Sequence, residues 1–596
     1  MNPQTVLKQY FGYDQFRPGQ EQAIKQVLAG QNTLTIMPTG GGKSLCYEIP
    51  SLLLDGITLV ISPLISLMKD QVDSLNQDGI AATLLNSSLS LTELQENEAK
   101  LRSGQVKLCY IAPERLEDEY FFNFLQQLPI KLVAVDEAHC ISQWGHDFRQ
   151  SYYELRNWLP KLPSQPTIIA LTATATRRVA DEICQQLMID QSHVVKTGFA
   201  RDNLALRVVA GADPTTYVED YLRAHDGESG IIYTSTRKGA EQLANRLIHD
   251  RFNVGLYHGQ IDSDQKRQAQ DDFQYDRVPV MVATNAFGMG IDKSNVRFVI
   301  HANVPGSIEA YYQEAGRAGR DGLPSEAVLI YNEADLQTQR FFIDSSEASP
   351  EYKHVEYQKL DAVTKYANTE ECLMQFIVRY FGDDCPPCGI CQNCTDTRQK
   401  QDITVDAQKV LSCVIRMGQR FGKAMVVAVL AGSKAARVKE RHLDTLTTYG
   451  LMRHRRSKEI RSLVDYLAAS GYLQTVGGQY PVLAVSAAGA KVLRGQEKVF
   501  RRAVKKPIKK VTMSGDEGLF EALRDRRREL ASEQGVPPYM IFSDATLREL
   551  SAAKPATPDE FLAVKGVGQA KLAKYGSVMM KAIAEYIDEH HQSSAN

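Results

Sequence analysis

The chain has 596 residues and a mass of 66.5 kDa, which at ~150 residues per domain corresponds to about four domains and excludes one compact core. With 43% apolar and 23% charged residues it has globular composition, which rules out a collagen, a coiled-coil rod, a disulfide mini-protein and a wholly disordered chain. A net charge of −2 and a pI of 6.7 lie well below the value above about 9 that marks a dedicated nucleic-acid-binding domain, so any DNA contact must be local. Met1-Asn2-Pro3-Gln4-Thr5 has no charged segment leading into an apolar stretch, and no later run approaches the ~20 apolar residues that span a bilayer. A soluble, unexported, cytoplasmic protein without membrane contact is expected.

From Thr33 to about Leu171, short apolar or β-branched runs (Thr33–Met37, Ile57–Ile61, Val106–Ile111, Leu132–Val135, Thr167–Leu171) alternate with longer helical patterns. That rhythm predicts an α/β layer around a parallel sheet. The first run enters Pro38-Thr39-Gly40-Gly41-Gly42-Lys43-Ser44 and then a helix. Glycines let backbone N–H groups of Thr39, Gly40, Gly41 and Gly42 wrap phosphate oxygens, Lys43 can reach the β/γ-phosphates, and the Ser44 hydroxyl can bind Mg²⁺. The strict phosphate-loop pattern would have glycine at Met37. Leu132–Val135 runs into Asp136-Glu137-Ala138-His139, which places Asp136 at the end of a buried strand beside the phosphate loop, as an Mg²⁺ ligand, with Glu137 positioned to orient attacking water. Hydrolysis of a nucleoside triphosphate follows.

The rhythm restarts at Gly230–Tyr233, Val254–Tyr257, Val280–Ala283, Phe298–His301 and Ala327–Tyr331, a second α/β lobe joined to the first near Phe199 to Asn203. Cys388-Gly389-Ile390-Cys391-Gln392-Asn393-Cys394 brings three thiolates close enough for tetrahedral zinc. Cys385 would complete an evenly spaced run of four, reminiscent of an iron–sulfur motif, although Pro386-Pro387 stiffens the connection. Residues 403–492 read as short helices and a hairpin turning at Val476-Gly477-Gly478-Gln479, where two glycines suit a two-residue loop. Lys491 to Thr512 holds nine Lys or Arg against the single acid Glu497 and reads as a solvated basic linker, taken as residues 493–514. A last helical domain is expected over 515–592.

The order of these motifs resembles the RecQ family of DNA helicases over nearly the whole chain. The resemblance rests on Phe11-Gly12-Tyr13-Asp14-Gln15-Phe16-Arg17-Pro18-Gly19-Gln20, Ser62-Pro63-Leu64-Ile65-Ser66-Leu67, Ala112-Pro113-Glu114-Arg115, and the acidic box continuing through Cys140 to Arg149. Leu171-Thr172-Ala173-Thr174-Ala175, Ala286 to Asp292 and Gln313 to Asp321 complete the series. It implies two RecA-like lobes (1–200 and 201–340), a zinc-binding domain (341–402), a winged-helix domain (403–492) and an HRDC domain (515–592).

By the same resemblance Tyr13, Arg17 and Gln20 recognise adenine, and Arg317 and Arg320, with Gln313 beside them, face the phosphates from the second lobe. Trp144, His146, Phe148 and Arg149 form a loop coupling DNA binding to hydrolysis, since stacking is worth about 1 to 3 kcal/mol per base. Cys372 rather than Cys385 is the implied fourth zinc ligand, and the zinc is structural. Tyr257-His258-Gly259-Gln260 departs from the family's Tyr-His-Ala-Gly.

In the winged-helix domain Lys434, Arg437, Lys439, Arg441, Arg453, Arg455 and Arg456 are candidate duplex contacts, and Tyr480 a candidate strand wedge. In the HRDC domain Arg524, Arg526, Arg527, Arg528 and the turn Val564-Lys565-Gly566-Val567-Gly568 are candidate DNA contacts. The implied activity is ATP-dependent 3′–5′ unwinding of single-stranded-tailed, forked and branched DNA in recombination, repair and replication. ATP, Mg²⁺ and Zn²⁺ are the implied cofactors, and the protein is expected to act as a monomer on the nucleoid, with single-stranded DNA-binding protein as a partner. Two other readings are an RNA helicase of the same superfamily, against which the succession of C-terminal domains argues, and a non-catalytic scaffold, against which the intact Lys43, Asp136, Glu137, Arg317 and Arg320 argue.

Overall fold

The computed structural model describes residues 2–63, 65–86, 89–142, 148–288, 293–477, 481–502 and 517–593. Strands made of unbroken apolar runs must be covered on both faces, and such strands assemble as parallel sheets between helices. The first sheet contains β1 (Thr33–Ile36), β2 (Ile57–Ile61), β3 (Ala82–Leu85), β4 (Leu108–Ile111), β5 (Ile130–Val135), β6 (Thr167–Thr172) and β7 (Val194–Lys196). All pair in parallel, in the order β3-β4-β2-β5-β6-β1-β7.

The second sheet contains β8 (Leu204–Ala210), β9 (Gly230–Tyr233), β10 (Val254–Tyr257), β11 (Val280–Ala283), β12 (Phe298–His301) and β13 (Ser325–Tyr331), parallel in the order β10-β11-β9-β12-β13-β8. The fold class is therefore the expected pair of parallel-sheet lobes followed by smaller domains. The expected runs are all present, and β3, β7 and β8 join them. β8 is an edge strand whose burial alternates through Leu204, Leu206 and Val208, a period-two pattern rather than a continuous apolar run.

Three corrections apply beyond the lobes. β15 (Leu473–Val476) and β16 (Val482–Val485) do form a hairpin, but Val476 pairs with Val482, so the connection is longer than a two-residue turn. Tyr480 lies outside the described residues. The basic stretch is not all solvated linker either, because Phe500–Arg502 forms β17, antiparallel to β14 (Lys400–Asp402). Val499 is buried, the Arg501 guanidinium lies 5.1 Å over the Tyr466 ring, and the Arg502 N–H donates to Glu370 Oε2 at 3.0 Å. Charge alone gave no sign of these partners.

The C-terminal bundle packs Leu519, Leu523, Leu547, Leu550, Phe561 and Met579 between helices Glu517–Gln534, Asp544–Ala553, Pro558–Ala563 and Ser577–Ser593. Arg527, expected as a DNA contact, is fully buried in it. Its guanidinium donates to the Phe542 carbonyl at 2.7 Å and to Asp544 Oδ1 at 2.8 Å. Among the described residues no helix is long and apolar enough to cross a membrane.

Removing one partner of a buried ion pair leaves the other charge stranded, at a cost of about 3 to 5 kcal/mol. Arg527→Ala is accordingly expected to destabilise the bundle by that much, whereas Arg528→Ala, which removes only a half-buried surface pair with Asp525, costs less than about 1 kcal/mol. Hydrogen exchange of amides 517–593 in increasing urea reads both.

Candidate functional site

The phosphate loop leaves β1 through Met37, whose N–H donates to the Thr172 carbonyl at 3.1 Å and whose side chain is buried. That position is still strand-like and packed, which explains methionine where the strict pattern has glycine. The Gly41 N–H donates to the Pro38 carbonyl at 2.9 Å, and Gly40 and Gly42 hold φ of +79° and +76°, a backbone region that favours glycine. Ser44 caps α3 (Leu45–Leu53), so the loop opens onto a helix N-terminus. Lys43 Nζ reaches the Met37 carbonyl at 3.3 Å.

Tyr13 and Arg17 lie in the turn between α1 (Pro3–Phe11) and α2 (Gln20–Leu28), and Gln20 opens α2. Gln20 is buried and braces the loop itself, donating to the Gly42 carbonyl at 2.9 Å and the Gly41 carbonyl at 3.3 Å. Its Oε1 accepts from the Arg17 N–H at 2.8 Å, while the Arg17 guanidinium donates to the Gly40 carbonyl. Two of the three residues expected at adenine, Arg17 and Gln20, are therefore physically continuous with the phosphate loop.

Asp136 follows β5. It lines the same cleft as the phosphate loop, although β6 lies between its strand and β1. The acidic turn is tied to that intervening strand by His139, whose Nδ1 lies 3.1 Å from Thr172 Oγ1 and 3.2 Å from Glu137 Oε2. Tyr152, which sequence reasoning missed, donates its hydroxyl to the Asp136 carbonyl at 2.9 Å. Burial pushes the Asp136 carboxyl up to about 7, the Glu137 charge adds to this, and the Lys43 ammonium opposes it.

From the second lobe, helix Ile308–Ala315 carries Gln313 and ends just before Arg317 and Arg320, which sit in the following turns rather than on the helix. These turns press on the phosphate loop: a Cβ at Gly316 would lie 3.1 Å from Thr39 Cβ, and one at Gly40 would lie 3.3 Å from Arg320 Cα. Thr39, Gly40, Lys43, Ser44, Asp136 and Glu137 line a cleft of 480 Å³ together with Tyr13, Arg17, Gln20, Gln313, Arg317 and Arg320. A larger cavity, of 660 Å³ beside helix Pro350–Asn368, holds no phosphate loop.

The C-terminal bundle closes the mouth of this cleft, where Tyr539, Thr546, Lys565 and Lys571 join the lining. The Gly566 N–H donates to the Gly12 carbonyl at 3.3 Å, and a Cβ on Gly12 would meet Val567 O at 2.5 Å. Of the turn that is a candidate DNA contact, the Gly566 N–H is thus directed at the first lobe. Tyr575 Oη donates to Gln77 Oε1 at 2.9 Å and Lys571 Nζ pairs with Asp78 at 3.4 Å, while Tyr539 Oη donates to Gln274 Oε1 and the Tyr275 hydroxyl to the Gly535 carbonyl on the second lobe.

Of the coupling loop, Trp144 and His146 lie outside the described residues. Phe148 is exposed, edge-on to Tyr153 at 6.2 Å, and Arg149 Nη1 donates to the Pro63 carbonyl at 2.9 Å. His258 is buried and turned to Glu241, its Nε2 3.1 Å from Oε1. In the winged-helix region Lys434, Arg437, Lys439, Arg441, Arg453 and Arg456 are exposed, whereas Arg455 is drawn into a pair with Asp406.

Cys372 caps the helix Leu373–Tyr380, and its sulfur joins those of Cys388, Cys391 and Cys394 within 4.8 Å of one another. Cys385 stands outside this group. Zn–S bonds of about 2.3 Å at tetrahedral angles set S···S separations near 3.8 Å, and the Cys391 and Cys372 sulfurs are 3.9 Å apart. Backbone N–H groups point at the sulfurs, Cys388 to Cys372 at 3.3 Å and Leu373 to Cys391 at 3.4 Å, as they do around thiolate ligands. The donor set fits one structural zinc with no open position.

The chain matches family models for a DEAD/DEAH box helicase (residues 17–183), a helicase conserved C-terminal domain (214–322), RecQ zinc-binding (333–395), an RQC domain (397–510) and an HRDC domain (516–583). It is 49% identical over 585 residues to the ATP-dependent DNA helicase RecQ of Bacillus subtilis strain 168, covering 98% of both chains. The protein of that name from Haemophilus influenzae is 41% identical over 594 residues, 98% of this chain and 96% of its own.

Because the Asp136 carboxyl is protonated more readily when folded than when unfolded, the native state takes up a proton between about pH 7 and the ordinary carboxylate range near pH 4, and stability rises as pH falls through that window. Asp136→Asn is expected to raise nucleotide-free stability at pH 8 by about 0.5 to 2 kcal/mol, with a gain that shrinks below pH 7, as thermal melting across pH will show. Cys391→Ser is expected to empty the cluster of zinc by metal analysis and to expose residues 333–395 to proteolysis, whereas Cys385→Ser retains the metal.

Proposed function

The chain belongs to the RecQ family of ATP-dependent DNA helicases, and on that premise we propose how its own residues perform ATP hydrolysis and convert it into strand movement. The observation that carries the reading is the cleft whose one wall is Lys43, Ser44, Asp136 and Glu137 and whose other wall is Arg317 and Arg320. Glycine N–H groups of the loop and the Lys43 ammonium bind the phosphates at the α3 N-terminus. Ser44 and Asp136 would hold Mg²⁺, which when bound neutralises phosphate charge; the buried carboxylate opposite a hydroxyl is a donor pair suited to a hard cation.

Glu137, fixed in the left-handed region at φ of +47° and tied to His139, orients the attacking water. Arg317 and Arg320 stabilise the charge that develops as the terminal phosphoryl group departs. Tyr13, Arg17 and Gln20 seat the adenine, and because Arg17 and Gln20 also brace the loop, base recognition and phosphate geometry are mechanically joined.

A fuel held by two lobes at once draws them together, and hydrolysis lets them part. A strand lying across both lobes then advances with each cycle. We infer translocation 3′ to 5′ on single-stranded DNA, opening forks and branched duplexes, with Trp144, His146, Phe148 and Arg149 reporting strand occupancy to the carboxylates. The exposed Phe148 supports this, since a stacking side chain must face solvent. The exposed basic residues from Lys434 to Arg456 give the winged-helix domain a surface for duplex phosphates. Both walls of the cleft come from one chain, which supports action as a monomer; we infer that it works on nucleoid DNA in the cytoplasm, beside single-stranded DNA-binding protein.

Tailed duplexes of DNA and RNA with either overhang test the reading directly. The unaltered protein is expected to unwind 3′-tailed DNA with Mg-ATP and to leave 5′-tailed DNA and RNA paired. Lys43→Ala should abolish unwinding, and Arg317→Ala should lower kcat of the DNA-stimulated ATPase by about 10³-fold. Equal unwinding of RNA, or an active Lys43→Ala, overturns it.

A further inference from the structure

Phe199-Ala200-Arg201-Asp202-Asn203 links β7 to β8 and so joins the two sheets. Arg201 is buried there, and among the described residues no carboxylate lies within hydrogen-bonding distance of its guanidinium. A buried guanidinium is costly unless its N–H groups are met, and all five are directed at oxygens. Nε donates to Asn203 Oδ1 at 3.1 Å. Nη1 donates to the Thr39 carbonyl at 2.6 Å and, more weakly, to the Gly316 carbonyl at 3.5 Å. Nη2 donates to the carbonyls of Ala318 at 3.1 Å and Gly319 at 2.7 Å.

The acceptors fall into two sets. Thr39 opens the phosphate loop of the first lobe, whereas Gly316, Ala318 and Gly319 are the backbone of the turns bearing Arg317 and Arg320. Asn203 reinforces the second set, its Nδ2 donating to the carbonyls of Gly319 at 2.8 Å and Leu323 at 2.9 Å. Tyr312, on the helix leading into those turns, donates its hydroxyl to the Phe199 carbonyl at the start of the same connection. One planar fork thus spans the seam between the two walls of the cleft.

We propose that Arg201 is a positioning residue for hydrolysis, holding the phosphate loop and the arginine-bearing turns in one fixed relation so that Arg317 and Arg320 meet the phosphoryl group in its transition state. It stands behind the residues that line the cleft and is not one of them. The proposal rests on the role given above to Arg317 and Arg320. Lysine cannot replace the fork, because a single ammonium cannot serve carbonyls on both sides of a seam. A displacement of about 1 Å at the reacting centre is enough to cost roughly 100-fold in rate.

The test compares Arg201→Lys with Arg317→Ala in the full-length protein, measuring DNA-stimulated ATPase, thermal melting, and affinity for ADP alone and for ADP with aluminium fluoride, a mimic of the transferring phosphoryl group. Arg201→Lys is expected to lower kcat by about 10- to 100-fold and to weaken the aluminium fluoride complex in step, while ADP affinity and KM for ATP change less than about threefold. Should Arg201→Lys fail to fold, Asn203→Ser, which frees only one side of the fork, is read in the same way with a smaller effect. Unchanged kcat, or equal weakening of ADP and of its aluminium fluoride complex, overturns the proposal while Arg317→Ala remains impaired. If Arg317→Ala is itself fully active, the arginine reading fails, and the proposal falls with it.

Discussion

The active cleft exists because two glycine-containing turns from different sheets can touch. Gly316 approaches Thr39, and Gly40 approaches Arg320, at distances where an added methyl group would already crowd its neighbour. A methyl group at either position would force the facing turn to give by a few tenths of an ångström. With the backbones in contact, the groups that bind phosphate and the groups that answer its developing charge occupy one small volume, although the chain separates them by some 270 residues. Low solvent content in such a seam strengthens each electrostatic contact within it. It also accounts for the raised carboxyl of Asp136, whose burial is the cost of placing a charge where a cation will be needed.

Much of this architecture is legible in the sequence because parallel sheets demand continuous apolar strands. Those runs, followed by a glycine-rich turn in one case and by paired carboxylates in another, locate the phosphate loop and Asp136 without any structure. Edge strands are harder to see: β7 is short and β8 alternates. β14 and β17 carry polar sequences, Lys400-Gln401-Asp402 and Phe500-Arg501-Arg502, whose pairing depends on partners a hundred residues away. Charge was the weakest guide of all. Arginines look alike in a sequence, yet Arg527 is a core residue, Arg455 is paired, Arg437 faces solvent, and Arg201 organises a seam. What distinguishes them is the acceptor each one finds, and acceptors are set by tertiary contacts.

The cysteine cluster shows how a metal site can matter at a distance. Its loop returns to the second sheet, where the Gln392 N–H donates to the Leu206 carbonyl at 2.9 Å, and the helix it anchors ends at Phe381, stacked on Phe199 at 4.5 Å. Tyr380, one residue earlier, donates its hydroxyl to Glu309 Oε1 at 2.8 Å on the helix that leads to Arg317. Four sulfurs thereby support the floor beneath the lobe junction. Spacing alone left Cys372 and Cys385 as rival ligands, and the choice is made by the helix, which presents the first at its N-terminus and leaves the second in the connection beyond.

The docked C-terminal bundle imposes a mechanical condition on the motor. It grips Gly12, Gln77 and Asp78 on one side and Gln274 and Tyr275 on the other, through hydrogen bonds that tolerate only about 0.5 Å of stretch. A splint fastened to both halves of a hinge resists every stroke, so a full step requires it to let go of at least one half. The energy of letting go is then drawn from each cycle.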